Sequence, residues 1–141
     1  MAHRRTGRFL DSVGVAPRLL FDARSGVGVQ EIYSSVRTGR SGSESRLQGA
    51  RLRLRPIAEL TTTSLEALLI CHQARLLLGR SGEIESPNDP YWLPRAWVEI
   101  SVESDGGNFV INLKGRDIGQ ANEILSRAKA FAAGVGSNHS P

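Results

Sequence analysis

The sequence predicts a small α+β domain: an antiparallel sheet of three or four strands, including a C-terminal β-hairpin, with two helices packed on one face. Three observations predict it. Ala96–Glu103 and Asn108–Lys114 each alternate apolar and polar residues around a glycine-bearing turn. Arg46–Arg55 alternates in the same way. Two further stretches, Leu65–Leu78 and Ile118–Ala132, repeat their apolar residues at helical spacing instead.

In the first of these segments Val98, Ile100 and Val102 fall on one strand face, and Trp97, Glu99, Ser101 and Glu103 on the other. Phe109, Ile111 and Leu113 form the matching apolar face of its partner. Between them Ser104-Asp105-Gly106-Gly107 carries the glycines that supply positive φ in a hairpin loop. Reading all four residues as loop sets Glu103 opposite Asn108, Val102 opposite Phe109, Ile100 opposite Ile111 and Val98 opposite Leu113. It also sets Trp97 beside Lys114 on the outer face.

Asp117 then reads as a helix N-cap, with Gln120 completing a capping box. Ile118, Ala121, Leu125, Ala128 and Ala132 make one stripe, widened by Ile124 and Phe131, and Gly134 is the expected stop. Glu123 and Arg127 sit one turn apart as an i,i+4 pair. A single ββα unit is too small to close its own core, so further apolar surface has to come from upstream or from a partner.

Two upstream segments can supply it. Arg46–Arg55 puts Ala50, Leu52 and Leu54 on one face and Arg51, Arg53 and Arg55 on the other, the guanidinium groups spaced roughly 7 Å apart. Pro56 should end that strand. Leu65, Leu68, Leu69, His72 and Leu76 keep helical spacing, with Thr63 and Glu66 as a capping box and Gly79 as a stop. A hairpin over Leu76–Glu85 is the competing reading. The helix is preferred because the segment is long and poor in β-branched residues.

Met1–Gly28 shows no sustained period, Val27–Val36 has moderate β character, and Thr38–Ser45 has the Ser/Gly composition of a linker. The expected organisation is a basic, Gly/Ser/Arg-rich flexible arm over residues 1–45, an α+β domain over 46–134 and a disordered tail over 135–141. Charge follows the same division. Residues 1–55 hold 11 Arg against Asp11, Asp22, Glu31 and Glu44, whereas residues 56–141 hold seven basic and ten acidic residues.

One cysteine excludes an intramolecular disulfide framework and the usual zinc-finger spacings, so a reducing compartment, the cytoplasm, is expected. No run approaches the ~18 apolar residues of a membrane span, and Met1–Gln30 lacks the apolar core of a secretory signal. Its Arg and Ser content is shared with organellar transit peptides, although Asp11 and Asp22 run against one.

Little in the sequence points to catalysis. Cys71 and His72 are adjacent, so on a helix they diverge by about 100° and cannot work as a pair. Three dispersed histidines and one cysteine make no metal set. Ser126-Arg127-Ala128-Lys129 matches S-x-x-K without companion motifs, and Gly26-Val27-Gly28 lacks the third glycine of a dinucleotide loop. Glu83, Glu85, Glu99 and Glu103 read as a solvated acidic face. The expectation is a binding protein, not an enzyme, with no cofactor and no metal.

Arg37, Arg40, Arg46, Arg51, Arg53 and Arg55 are the candidate contacts for nucleic acid, RNA before DNA, or for another acidic partner. The order of helix, strands, hairpin and closing helix is loosely similar to that of a double-stranded-RNA-binding domain. Where such domains carry a basic cluster, however, this chain has Asp117-Ile118-Gly119-Gln120. The alternative is an inhibitor, immunity-type or assembly module that meets a protein through Tyr91, Trp92 and Trp97. Tyr91 and Trp92 lie in the proline-rich Ser86–Pro94, where a lid over the core is the preferred reading. A homodimer joined at an exposed strand edge is a further expectation.

Overall fold

A computed structural model of the chain describes residues 28–38, 42–79 and 88–137. The elements run β1 (Gly28–Thr38), β2 (Gly42–Leu54), α1 (Thr62–Leu77), β3 (Glu99–Asp105), β4 (Asn108–Lys114) and α2 (Ile118–Ser137). The four strands form one antiparallel sheet in the order β1-β2-β4-β3, so β2 and β4 are the inner pair. The chain is thus two successive ββα units joined through their second strands. Each helix packs across the junction, α1 on β3 and α2 on β2.

The apolar stripes account for the layering. Ala50, Leu52, Leu54, Ile100, Phe109, Ile111 and Leu113 from the sheet meet Leu65, Leu69, Ile124, Leu125 and Ala128 from the helices in one buried core. Leu68, His72 and Leu76 complete the buried side of α1. Ile118, by contrast, stands half exposed at the start of α2.

Several expectations need correction. The sheet begins upstream of residue 46. Residues 28–38 are a full edge strand and Gly42–Ser45 belong to β2, so the expected domain boundary falls inside a strand. Residues 1–27 of the expected arm lie outside the described residues. The C-terminal hairpin is tighter than expected: Asp105 pairs with Asn108, Val102 with Ile111 and Ile100 with Leu113. Gly106 and Gly107, with φ of 59° and 87°, close a two-residue turn unaided, which suits the twist of the flanking strands. Lys114 therefore faces Glu99 and not Trp97.

Helix α1 is capped by Thr61 and Ser64 in place of Thr63 and Glu66. Thr61 Oγ1 accepts from Ser64 N–H at 3.1 Å, and Ser64 Oγ accepts from Thr61 N–H at 2.8 Å. Glu66 instead accepts from the β3 backbone at Val102 N–H, 2.9 Å. At α2, Asp117 Oδ1 caps Gln120 N–H at 2.8 Å as expected. The helix runs past Gly134 to Ser137, because glycine permits a left-handed stop without imposing one. The competing hairpin over Leu76–Glu85 gives way to a helix through Leu77, and residues 80–87 lie outside the described residues.

Candidate nucleic-acid interface

Both helices cover the same side of the sheet, and among the described residues no element covers the other. Alternation and register determine what that outer face carries. Residues directly opposite in a ladder share a face. One row therefore crosses the sheet through Gln30, Arg51, Asn112 and Ser101, and another through Arg53, Val110 and Glu103. Glu99 and Lys114 are opposed a step further along.

An irregularity in the β1–β2 pairing extends the basic part of this face. Ile32 pairs with Gly49 and Tyr33 with Leu47, leaving Gln48 as an extra residue in β2. Leu47 packs against the core, so Arg46 turns to the outer face and joins Arg51 and Arg53 despite its even number. The inner strand tolerates this only because residue 49 is glycine. A Cβ there would sit 1.8 Å from the carbonyl oxygen of Leu113.

The arginines differ in what they already hold. Arg51, half buried, donates through Nε to Asn112 Oδ1 at 2.8 Å, and Asn112 Nδ2 donates to Ser101 Oγ at 3.4 Å. Arg53 reaches across the sheet to Asp105 Oδ2 at 2.8 Å, both side chains remaining about half exposed or more. Arg46 and Arg55 are exposed and make no hydrogen bond or ion pair with the described residues. Arg37 occupies a β1 position opposite Ser43, and Arg40 lies outside the described residues. The acidic residues Glu99, Glu103 and Asp105 gather on β3, so the outer face is basic along β2 and acidic along the β3 edge.

Two of the three aromatic candidates are not surface residues. Tyr91 is fully buried and Trp92 nearly so, each a lid on the core, and neither meets a partner in this conformation. Tyr91 packs edge-on against Phe131 with ring centroids 6.0 Å apart. Burial, with the Asp89 charge adding to it, holds the Tyr91 phenol far above the ordinary tyrosine range. Trp97 is 47% exposed and remains available.

Sequence reasoning missed a buried polar group that pins the Pro-rich segment. His72 Nε2 meets Asp89 Oδ2 at 2.5 Å, Asp89 Oδ1 accepts from Tyr91 N–H at 2.9 Å, and Arg127 donates to the Asp89 carbonyl at 3.3 Å. The Arg127 guanidinium also lies over the Trp92 ring, 5.6 Å from its centroid, and pairs with Glu123 at 3.0 Å. His72 and Asp89 are almost wholly buried, so the pair anchors the segment that carries Asp89 to α1. Among the described residues no group of His, Cys, Asp and Glu is arranged to hold a metal ion, and no described helix is long and apolar enough to cross a membrane. Cys71 is a half-buried free thiol on α1. No family model, no curated protein and no solved structure matches the chain.

Proposed function

We propose that this is a non-catalytic binding protein that uses the β2 side of its outer sheet face to hold the phosphate backbone of nucleic acid, RNA before DNA. What supports the reading is the run of Arg46, Arg51 and Arg53 on a face that no described helix covers, its members separated along the strand by distances a phosphate chain can follow. The Arg53–Asp105 pair does not stand against it. An exposed ion pair contributes little, and a phosphate can displace the carboxylate. The arginine content of residues 1–27 adds positive charge to the same chain.

The test is the salt dependence of binding of the full chain to a generic RNA. Three phosphate contacts give a log–log slope of roughly −2 to −3, and Arg46→Ala should reduce its magnitude by about 0.7–0.9. A flat response, or an Arg46→Ala slope unchanged from the parent, rejects the reading.

A second reading is carried by Trp97. It stands exposed next to the acidic β3, the kind of aromatic anchor that a protein interface uses. A photo-crosslinker at position 97 that captures protein in cells, with the RNA slope flat, would favour it.

A further inference from the structure

The outer face changes character between β2 and β3, which lie two strand spacings apart, roughly 10 Å. The β2 side carries Arg46, Arg51 and Arg53. On β4, Val110 and Asn112 are nearly buried. Arg53, opposite Val110, crosses that strand to reach Asp105, and Arg51 donates to Asn112. On β3, Glu99, Ser101 and Glu103 are exposed, and the two glutamates make no hydrogen bond or ion pair with the described residues.

Trp97 belongs to the same face. Val98 enters the core with Ile100 and directs both of its peptide groups at α1, as Val102 directs its N–H. The β3 conformation therefore continues back through Val98, and the residue before it falls on the opposite side. There Trp97 is 47% exposed, two residues from Glu99 and so about 7 Å from it along the strand. Its level in the sheet follows from the registers. Gly49, Lys114 and Glu99 share a row, and one step further Gly115 N–H donates to the Gln48 carbonyl at 2.9 Å. Trp97 thus stands at the end of the face where the extra residue in β2 returns Arg46 to it.

Given the phosphate contacts proposed above, on which this step rests, we infer that the nucleic acid held here is single-stranded. Its phosphates lie along β2 and its bases cross β4 toward β3, where Trp97 stacks a base and Glu99 accepts from that base's amino group. Charge decides which way the nucleotides lie. The β2 guanidinium groups attract phosphate, whereas Glu99, Glu103 and Asp105 repel it, so β3 is left to the uncharged bases. The face of a tryptophan ring accepts any of them. A double helix cannot use this arrangement. Its bases are paired and stacked inside, and its second row of phosphates would meet the carboxylates. Glu99 also discriminates. An ionised carboxylate only accepts, which suits the amino groups of cytosine, adenine and guanine. Uracil, whose pairing edge holds one N–H between two carbonyls, is disfavoured.

The test titrates the full chain, at one low salt concentration, with cytidine and uridine oligonucleotides of equal length and with an RNA duplex of that length. The single strands should bind more tightly than the duplex, and oligocytidine more tightly than oligouridine. Trp97→Ala should weaken oligocytidine binding by roughly 5- to 150-fold. It removes no phosphate contact, so the salt slope should not change, and Trp97→Phe should restore most of the affinity. Glu99→Gln should narrow the gap between oligocytidine and oligouridine. Both positions are exposed, and circular dichroism should match the parent. A duplex that binds as tightly as the single strands, oligocytidine affinity unmoved by Trp97→Ala, or a gap undiminished in Glu99→Gln overturns the inference. If Arg46→Ala still lowers the salt slope in that case, the phosphate reading survives. A flat salt response removes both. Protein captured through position 97, with oligonucleotide affinity indifferent to Trp97→Ala, overturns base stacking in favour of a protein anchor.

Discussion

Gln73 behaves toward Val98 as a neighbouring strand would. Its side-chain amide lies buried on α1, accepting from Val98 N–H at 2.6 Å and donating to Val98 C=O at 3.0 Å. Both peptide groups lie beneath a helix, where water does not reach, and each would otherwise be left unpaired. Gln73→Leu keeps the volume but removes both partners. We expect a loss of about 2–4 kcal/mol in denaturant unfolding, from two stranded backbone groups at roughly 1–3 kcal/mol each less the gain from an added apolar side chain. Amide exchange at Val98 should accelerate more than at Ile111. Equal acceleration at the two sites would reduce Gln73 to a packing residue.

The His72–Asp89 pair makes a different prediction, because its members are charged or polar and nearly fully buried. His72→Ala strands a carboxylate that still receives Tyr91 N–H, and should cost about 3–5 kcal/mol. Removing both side chains should cost clearly less than the sum of the two single variants, since no buried charge is then left behind. Additive losses in a double-mutant cycle would mean that the two groups do not act together.

How much of this was legible beforehand follows from what each pattern encodes. Alternation fixes which face a residue takes, and the core residues read from β2, β3 and β4 are buried where expected, save Val102, which is only partly buried against the core. It does not fix register beyond parity. The hairpin pairs two residues away from expectation while Val102 and Ile100 keep the same side, because Gly106 and Gly107 suffice for the turn. β1 was only partly legible, as moderate β character over Val27–Val36. Val29 packs against the core and Ile32, three residues on and itself buried, takes the opposite face, so the strand shows no simple run of apolar positions on one side. The extra residue in β2, Gln48, hid the alignment of Arg46 with Arg51 and Arg53. Gln73 carried no signal, since a lone glutamine beside an apolar stripe reads as surface. His72 was placed on the buried stripe, but its partner lies 17 residues away on an irregular segment with no period to read.

Tyr91 sets a limit on stability at high pH. Burial holds its phenol neutral in the folded chain well above the ordinary value of 10.0. Below pH 10 folded and unfolded chains both keep the proton and the group contributes no pH dependence. Above it the unfolded chain releases the proton and the folded chain retains it, so the unfolded state binds fewer protons and stability falls as pH rises, by about 1.4 kcal/mol per pH unit. Tyr91→Phe should abolish that part of the slope. Its hydroxyl makes no hydrogen bond with the described residues, so the variant should lose little at neutral pH. Denaturant midpoints of parent and variant that run parallel above pH 10 would count against a buried phenol.

Asp105 offers the most direct test of the charge arrangement on the outer face. Its carboxylate holds Arg53 at 2.8 Å, with side-chain exposures of 65% and 48%, so the pair adds little to folding. Asp105→Asn should leave stability within about 0.5 kcal/mol of the parent. For RNA binding the substitution matters more, because it removes a negative charge from the face and frees a guanidinium for phosphate. The salt slope should steepen by up to about 0.7–0.9, and affinity at low salt should rise with it. Glu99→Gln, further from Arg53 and opposite Lys114, removes the same charge without freeing Arg53 and should change the slope less. If both variants strengthen binding equally, the acidic edge acts only through net charge. If Asp105→Asn alone does so, Arg53 is the contact, and the strand that presents it is the surface on which the partner lies.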